Sequence, residues 1–221
     1  TMSTISNRPG SASHIYARHD AGLSGMSSDE FNFSEFMSGY IADLANALHS
    51  LDAESVSILY NEMLQTMDTG GKVHFVGNGG SAATPSHSAG DWSKELGLPT
   101  IAHTDNIASL TAWANDTDYD NIFVGQLQTW LDSGDLLVAY SGSGNSPNVI
   151  NAVEYANSNG ARTFGITGNY REGSGGKLAQ IADAAIVCDT TSMERIEDMQ
   201  LIINHIVKEA VKASRNLPSH S

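Results

Sequence analysis

The sequence predicts an α/β fold: a five-stranded parallel sheet flanked by helices and entered through an N-terminal helical hairpin. Two observations carry that prediction. Five short apolar runs of strand type alternate with longer runs whose apolar residues recur at helical spacing, the pattern of a sheet covered on both faces. Two of the strand-like runs end in turns rich in glycine and small hydroxyl residues, VHFVGNGGSAAT from Val73 to Thr84 and LLVAYSGSGNSPNVI from Leu136 to Ile150, and a helical pattern follows each.

Residues 1 to about 30 mix Ser, Gly, His and Arg without periodicity, which reads as a flexible tail ahead of one domain over 31–215. Helical spacing runs from Phe33 to Leu51 through Phe36, Met37, Tyr40, Ile41, Leu44 and Leu48, with Ser34 as the expected cap. A second helix opens at Asp52, carries Val56, Leu59, Tyr60, Met63, Leu64 and Met67, and stops at Gly70-Gly71. Together they make the hairpin, residues 31–70. The strands are expected at Lys72 to Val76, Thr100 to Ala102, Leu136 to Tyr140, Arg162 to Ile166 and Ala184 to Cys188. A last helix, Met193 to Ala213, carries a stripe of Ile196, Met199, Ile203, Ile206 and Ala210, widened by Leu201, Ile202 and Val207. That exceeds what packing on one core needs, so a second buried face and an oligomer are expected.

Composition narrows the function classes. A chain of 221 residues, 40% hydrophobic and 16% charged, is globular in composition, and no apolar stretch nears the roughly 20 residues that cross a bilayer. No apolar signal core stands near residue 1 and Cys188 is the only cysteine, so a cytoplasmic location without disulfides is expected. A formal net charge of -14 repels DNA and RNA, whose binding relies on clustered lysine and arginine. It also repels small anions at long range, so affinity for one must come from local dipoles and hydrogen bonds.

Both glycine turns suit an anion. Each sits at the carboxyl end of an expected strand, where ligands bind in such sheets, and at the start of a helix, whose free N–H groups and partial positive charge attract phosphate. Ser141, Ser143 and Ser146 add hydroxyls to the second turn, and Pro147 stands where a first-turn proline is tolerated. Neither turn has the GxGxxG fingerprint or a Gly-Lys-Ser/Thr P-loop, so nucleotide use is not indicated.

His87 and Asp91 stand four apart in the helix after the first turn, on one face, where an imidazole and a carboxylate can share a divalent metal or simply stabilise the helix. His205 lies in the most apolar helix, where a histidine satisfied by a backbone carbonyl is the plainer reading. Glu197 is two turns earlier, and its charge also complements that helix's N-terminus. Eight residues advance about 12 Å along a helix, so Glu197 and His205 would not easily grip one ion unless the glutamate leans along the axis or another subunit contributes.

The segments GNGGSAATPSHSAGD (Gly77 to Asp91), AWANDTDYDNIF (Ala112 to Phe123), SGSGNSPNVINAV (Ser141 to Val153) and RIEDMQLIINHIV (Arg195 to Val207) resemble the sugar isomerase (SIS) domain, and within it the phosphoheptose isomerases. The resemblance covers about Phe33 to Lys212. It implies a flavodoxin-like sheet, a homotetramer with sites at subunit interfaces, and an aldose-ketose isomerase interconverting sedoheptulose 7-phosphate and a heptose 7-phosphate. It further implies that Asn78, Gly79, Gly80, Asn115 and Asp116 contact the sugar, and that Ser141, Gly142, Ser143 and Ser146 hold the phosphate. His87, Asp91, Glu197 and His205 would line a centre with one Zn²⁺ per subunit, Asp91 and His205 serving as the acid/base pair of an enediol mechanism.

The chain differs from that family's usual pattern in having Asp91 for glutamate, Glu197 for glutamine, Ser-Gly-Ser for Ser-Thr-Ser in the second turn, and Glu95 where a basic residue is common. SIS folds also serve as non-catalytic modules, binding sugar phosphates in regulators or associating with a replication initiator, and as isomerases of other sugar phosphates. The two histidines and Asp91 favour the enzyme.

Overall fold

Strands β1 (Val73–Val76), β2 (Thr100–Ala102), β3 (Leu136–Ser141), β4 (Arg162–Gly168) and β5 (Ala184–Cys188) pair in parallel in the order β2-β1-β3-β4-β5. The coordinates are a computed structural model that describes residues 31–218; the expected tail, 1 to 30, lies outside the described residues. Helices are α1 (Phe33–His49), α2 (Ala53–Thr69), α3 (Gly80–Leu96), α4 (Ile107–Asp116), α5 (Val124–Trp130), α6 (Pro147–Ser158), α7 (Leu178–Ile181) and α8 (Met193–Ser214). No helix among the described residues is long and apolar enough to cross a membrane.

The chain divides into two compact units, residues 1–42 and 43–221, with the boundary inside α1. In the first unit Asn32, not the expected Ser34, caps α1: its Oδ1 accepts from Glu35 N–H at 3.2 Å. Both residues have capping chemistry, and the helix starts two residues earlier than a cap at Ser34 would allow. The rings of Phe31 and Phe36 lie 5.7 Å apart.

In the second unit the local signals set the ends of α2. Asp52 accepts from the N–H groups of Glu54 and Ser55, and Gly70 ends the helix at φ 72°, a left-handed position that glycine adopts freely.

Alternation along the strands builds two cores. Val73, Phe75, Leu136, Val138, Tyr140, Phe164 and Ile166 face Leu59 and Met63 of α2, Trp92 of α3, and Ile196, Met199, Ile203, Val207 and Val211 of α8. Val76, Leu137 and Ala139 face Leu127 of α5 and Val149, Ala152, Val153 and Ala156 of α6. The stripe on α8 differs from the expected one. Val207 and Val211 continue it inward, while Ile206 is half exposed and Ala210 exposed. Spacings of 3 and 4 fit both stripes, and the packed face is the one that also buries the stems of Lys208 and Lys212.

This strand order reverses direction between β1 and β3, the switch point at which a crevice opens beyond the strand ends. Both glycine turns leave the sheet there: Gly77 to Gly79 join β1 to α3, and Gly142 to Ser146 join β3 to α6.

Phe164, fully buried in β4 between β3 and β5, gives a direct test of the core. Phe164→Ala is expected to lower the unfolding free energy by about 3–5 kcal/mol in urea titrations; a loss below about 1 kcal/mol would place the ring outside the core.

Candidate active site

Helices α3 and α8 pack side by side and run in the same direction, bringing their polar residues into register. His87 Nε2 meets His205 Nε2 at 2.9 Å, Asp91 Oδ2 meets Lys208 Nζ at 3.0 Å, and Glu95 Oε2 meets Lys212 Nζ at 2.8 Å. Trp92 Nε1 donates to Asn204 Oδ1 at 2.9 Å in the buried part of the same helix contact. Exposure falls along the ladder, from 49% and 43% for the histidine side chains to 8% and 4% for the two lysines.

Asp91 Oδ2 also lies 3.3 Å from His87 Nε2 and 3.6 Å from His205 Nε2. The ligand atoms of His87, Asp91 and His205 all lie within 4.8 Å of one another. Two imidazole nitrogens and one carboxylate oxygen, reached from solvent, are a donor set suited to zinc with a position left open. Glu197 is not in that group. It stands eight residues before His205 on α8, about 12 Å along the axis, and lines a cavity that His87 also lines.

Glu197 instead joins two cavities. One, about 690 Å³, is lined by Gly80, Ala83, Thr84, His87, Glu197, Asp198 and neighbouring apolar residues of α1 and α8. The other, about 260 Å³, is lined by Asn78, Gly79, Ser81, Tyr140, Ser141, Gly142, Ser143, Ser146, Met193 and Glu197. The Glu197 carboxyl lies against Gly80, in the space a Cβ there would take, and would have to swing aside for one. The Met193 thioether lies against Gly142 in the same way. Burial raises the pKa of Glu197, and the charges of Glu194 and Asp198 add to the shift.

In the serine turn, Gly144 N–H donates to Ser141 Oγ at 3.1 Å, and Ser141 Oγ lies 3.4 Å from Ser146 Oγ. Ser146 is the N-cap of α6 and Pro147 its first residue, so the helix N-terminus points its partial positive charge at the cavity. Asn78 is held by a reciprocal amide pair with Asn148, at 2.8 and 2.9 Å, and accepts from Tyr119 Oη at 3.0 Å.

Thus the structure brings together His87, Asp91 and His205, and brings Asn78, Gly79, Ser141, Gly142, Ser143 and Ser146 around one cavity with Glu197. Asn115 and Asp116 are not among the residues lining either cavity. They sit exposed at the end of α4, hydrogen-bonded to each other at 2.8 Å. Sequence reasoning missed Tyr119, Asn148, Met193, Lys208 and Lys212. Only the lysines left a signal, since Lys208 and Lys212 follow His205 on its helix as Asp91 and Glu95 follow His87 on theirs.

Hydrogen bonds from Lys212 and then Lys208 pull the Glu95 pKa from 4.5 to about 2. Burial opposes the charge on Lys208, but its bonds to Asp91 and Glu95 outweigh that and raise its pKa.

The pattern of the SIS domain family matches residues 38–168 of the chain. The chain is 37% identical over 153 residues to the phosphoheptose isomerase of Aliarcobacter butzleri, covering 67% of this chain and 79% of that one. It is 36% identical over 176 residues to a probable phosphoheptose isomerase of Thermoplasma volcanium, covering 77% and 88%. The solved phosphoheptose isomerase of Neisseria gonorrhoeae superposes with a TM-score of 0.77 at 29% identity, covering 82% of this chain and all of that one.

The ladder makes a pH-dependent prediction. Glu95 has a folded pKa below its unfolded value, so its contribution to stability is present above about pH 4.5 and is lost as pH falls toward 2. In metal-free protein, Glu95→Gln is expected to melt at a lower temperature than the parent at pH 7, with the gap narrowing below pH 4.5. A gap independent of pH would mean that the ion pairs do not set it.

Proposed function

The chain belongs to the SIS domain family and, within it, to the phosphoheptose isomerases, and we propose that it converts sedoheptulose 7-phosphate to D-glycero-heptose 7-phosphate through an enediol. That it is a sugar-phosphate isomerase follows from the family; the substrate, the mechanism and the metal are the proposal. The observation that carries it is the meeting of His87, Asp91 and His205 beside a serine-lined cavity, with Glu197 at the junction.

In this reading Ser141, Ser143, Ser146 and the N-terminus of α6 hold the phosphate, which lets a strongly acidic protein bind an anion through dipoles and hydroxyls. Asn78, Gly79 and Gly80 border the sugar, with Asn78 fixed in orientation by Asn148 and Tyr119. The same reading assigns Asn115 and Asp116 to sugar contact. Asp91 and His205 form the pair that removes a proton from one carbon and returns it to the next. His87, Asp91 and His205 would hold Zn²⁺, with Glu197 on the lining of the cavity that His87 also borders. When bound, the ion polarises the substrate carbonyl and stabilises developing oxyanion charge.

The assembly we propose is a homotetramer located in the cytoplasm. Supporting it, Ile206 is half exposed above a groove between α2 and α8 lined by Val56, Tyr60 and Ala210, an apolar face suited to a second copy.

Incubation with sedoheptulose 7-phosphate tests the reading. Conversion is expected, to be lost on chelation and restored by zinc; zinc-loaded protein that leaves the sugar unchanged would refute it. His205→Ala is expected to cut kcat by about 10²–10⁴ with the fold retained, and kcat within about twofold of the parent would remove His205 from the chemistry. Ser143→Ala should mainly raise KM, and an unchanged KM would argue against the cradle.

A further inference from the structure

One oxygen of Asp91 is shared by three groups. Its Oδ2 faces His87 Nε2 at 3.3 Å and His205 Nε2 at 3.6 Å, and also accepts a hydrogen bond from Lys208 Nζ at 3.0 Å. The Lys208 side chain is only 8% exposed, so solvent and salt screen its charge weakly. Its remaining partners are acidic: Glu95 Oε1 at 3.0 Å and Glu209 Oε1 at 3.7 Å. Lys212 shares those two carboxylates, at 2.8 Å from Glu95 and 3.4 Å from Glu209. An ammonium is therefore fixed against the one carboxylate of the three-residue group, and a second acid stands behind it.

That arrangement bears on any divalent ion the group takes up. An ion bound by His87, Asp91 and His205 would share the Asp91 carboxylate with the Lys208 ammonium. Two positive charges on one carboxylate repel across a short, poorly screened gap. The hydrogen bond also draws on oxygen electron density that a metal would use. Glu95 acts in the opposite sense, because its negative charge offsets part of the ammonium's field.

Resting on the zinc reading above, we propose that Lys208 holds down the affinity of the His87–Asp91–His205 site for a divalent cation, and that Glu95 sets how strongly it does so. Lys208 does not touch substrate in this account; it acts through Asp91. The consequence is a site that exchanges its ion readily.

Zinc dissociation constants, measured by competition with a chromophoric chelator at fixed ionic strength, test this without an activity assay. Lys208→Gln keeps an N–H donor for Asp91 but removes the charge, and is expected to bind Zn²⁺ about tenfold more tightly or better. Glu95→Gln leaves the ammonium less compensated, and is expected to bind Zn²⁺ about threefold or more weakly. The opposite signs are the signature, since damage to the packing of α3 against α8 would weaken both. Lys208→Gln binding no tighter than the parent overturns the inference while leaving the zinc reading intact. Absence of zinc binding in parent and variants alike overturns both. Should Lys208→Gln fail to fold, Glu95→Gln decides alone, and unchanged or tighter binding there overturns the inference.

Discussion

The site exists because α3 and α8 lie against each other in parallel, in register, over one face of the sheet. Ile196, Met199, Ile203, Val207 and Val211 of α8 and Trp92 of α3 pack into the same core as the strands, which fixes the separation of the helices. With that separation fixed, the outward neighbours of these residues pair across the gap: histidine with histidine, aspartate with lysine, glutamate with lysine. The deepest rung is a nearly buried ion pair whose loss would leave an unpaired charge, so it locks register as well as charge. The shallowest rung, held by the others, is left open to the cavity. The placing of His87 and His205 therefore depends on the hydrophobic packing and ion pairs behind them.

Much of the fold was legible because its punctuation is local. Asp52 and Gly70 bracket α2 by capping chemistry, and the β1 and β3 runs give way to turns rich in glycine and serine. Errors fell where two local solutions compete. Asn32 and Ser34 both cap helices, and only the helix start distinguishes them. On α8 the series ending in Ile206 and Ala210 and the series ending in Val207 and Val211 are one residue out of phase and equally apolar. The packed series carries Lys208 and Lys212 beside it, and Asp91 and Glu95 receive their ammonium groups.

The site was legible as parts. The spacing of His87 and Asp91, the serine turn, and the helical distance between Glu197 and His205 are all local. That distance explains why Glu197 borders the cavities and lies outside the three-residue group. The meeting of His87 with His205, 118 residues apart, and of Asn78 with Asn148 and Tyr119, 70 and 41 residues away, left no local trace. The excess of acidic residues looked hostile to an anionic ligand, yet the turn after β3 supplies hydroxyls and a helix N-terminus instead of lysines. The buried lysines face Asp91 and Glu95 behind the histidines.

The central claim is that one centre on the α3–α8 ladder and one cradle after β3 act on the same molecule. Crystals grown with zinc and a sugar phosphate, measured at the zinc absorption edge, test it most directly. The account predicts one anomalous peak within coordination distance of His87, Asp91 and His205, and ligand density running from it to a phosphate against Ser141, Ser143 and Ser146. A peak at other residues, or a phosphate bound away from the serine turn, would contradict it.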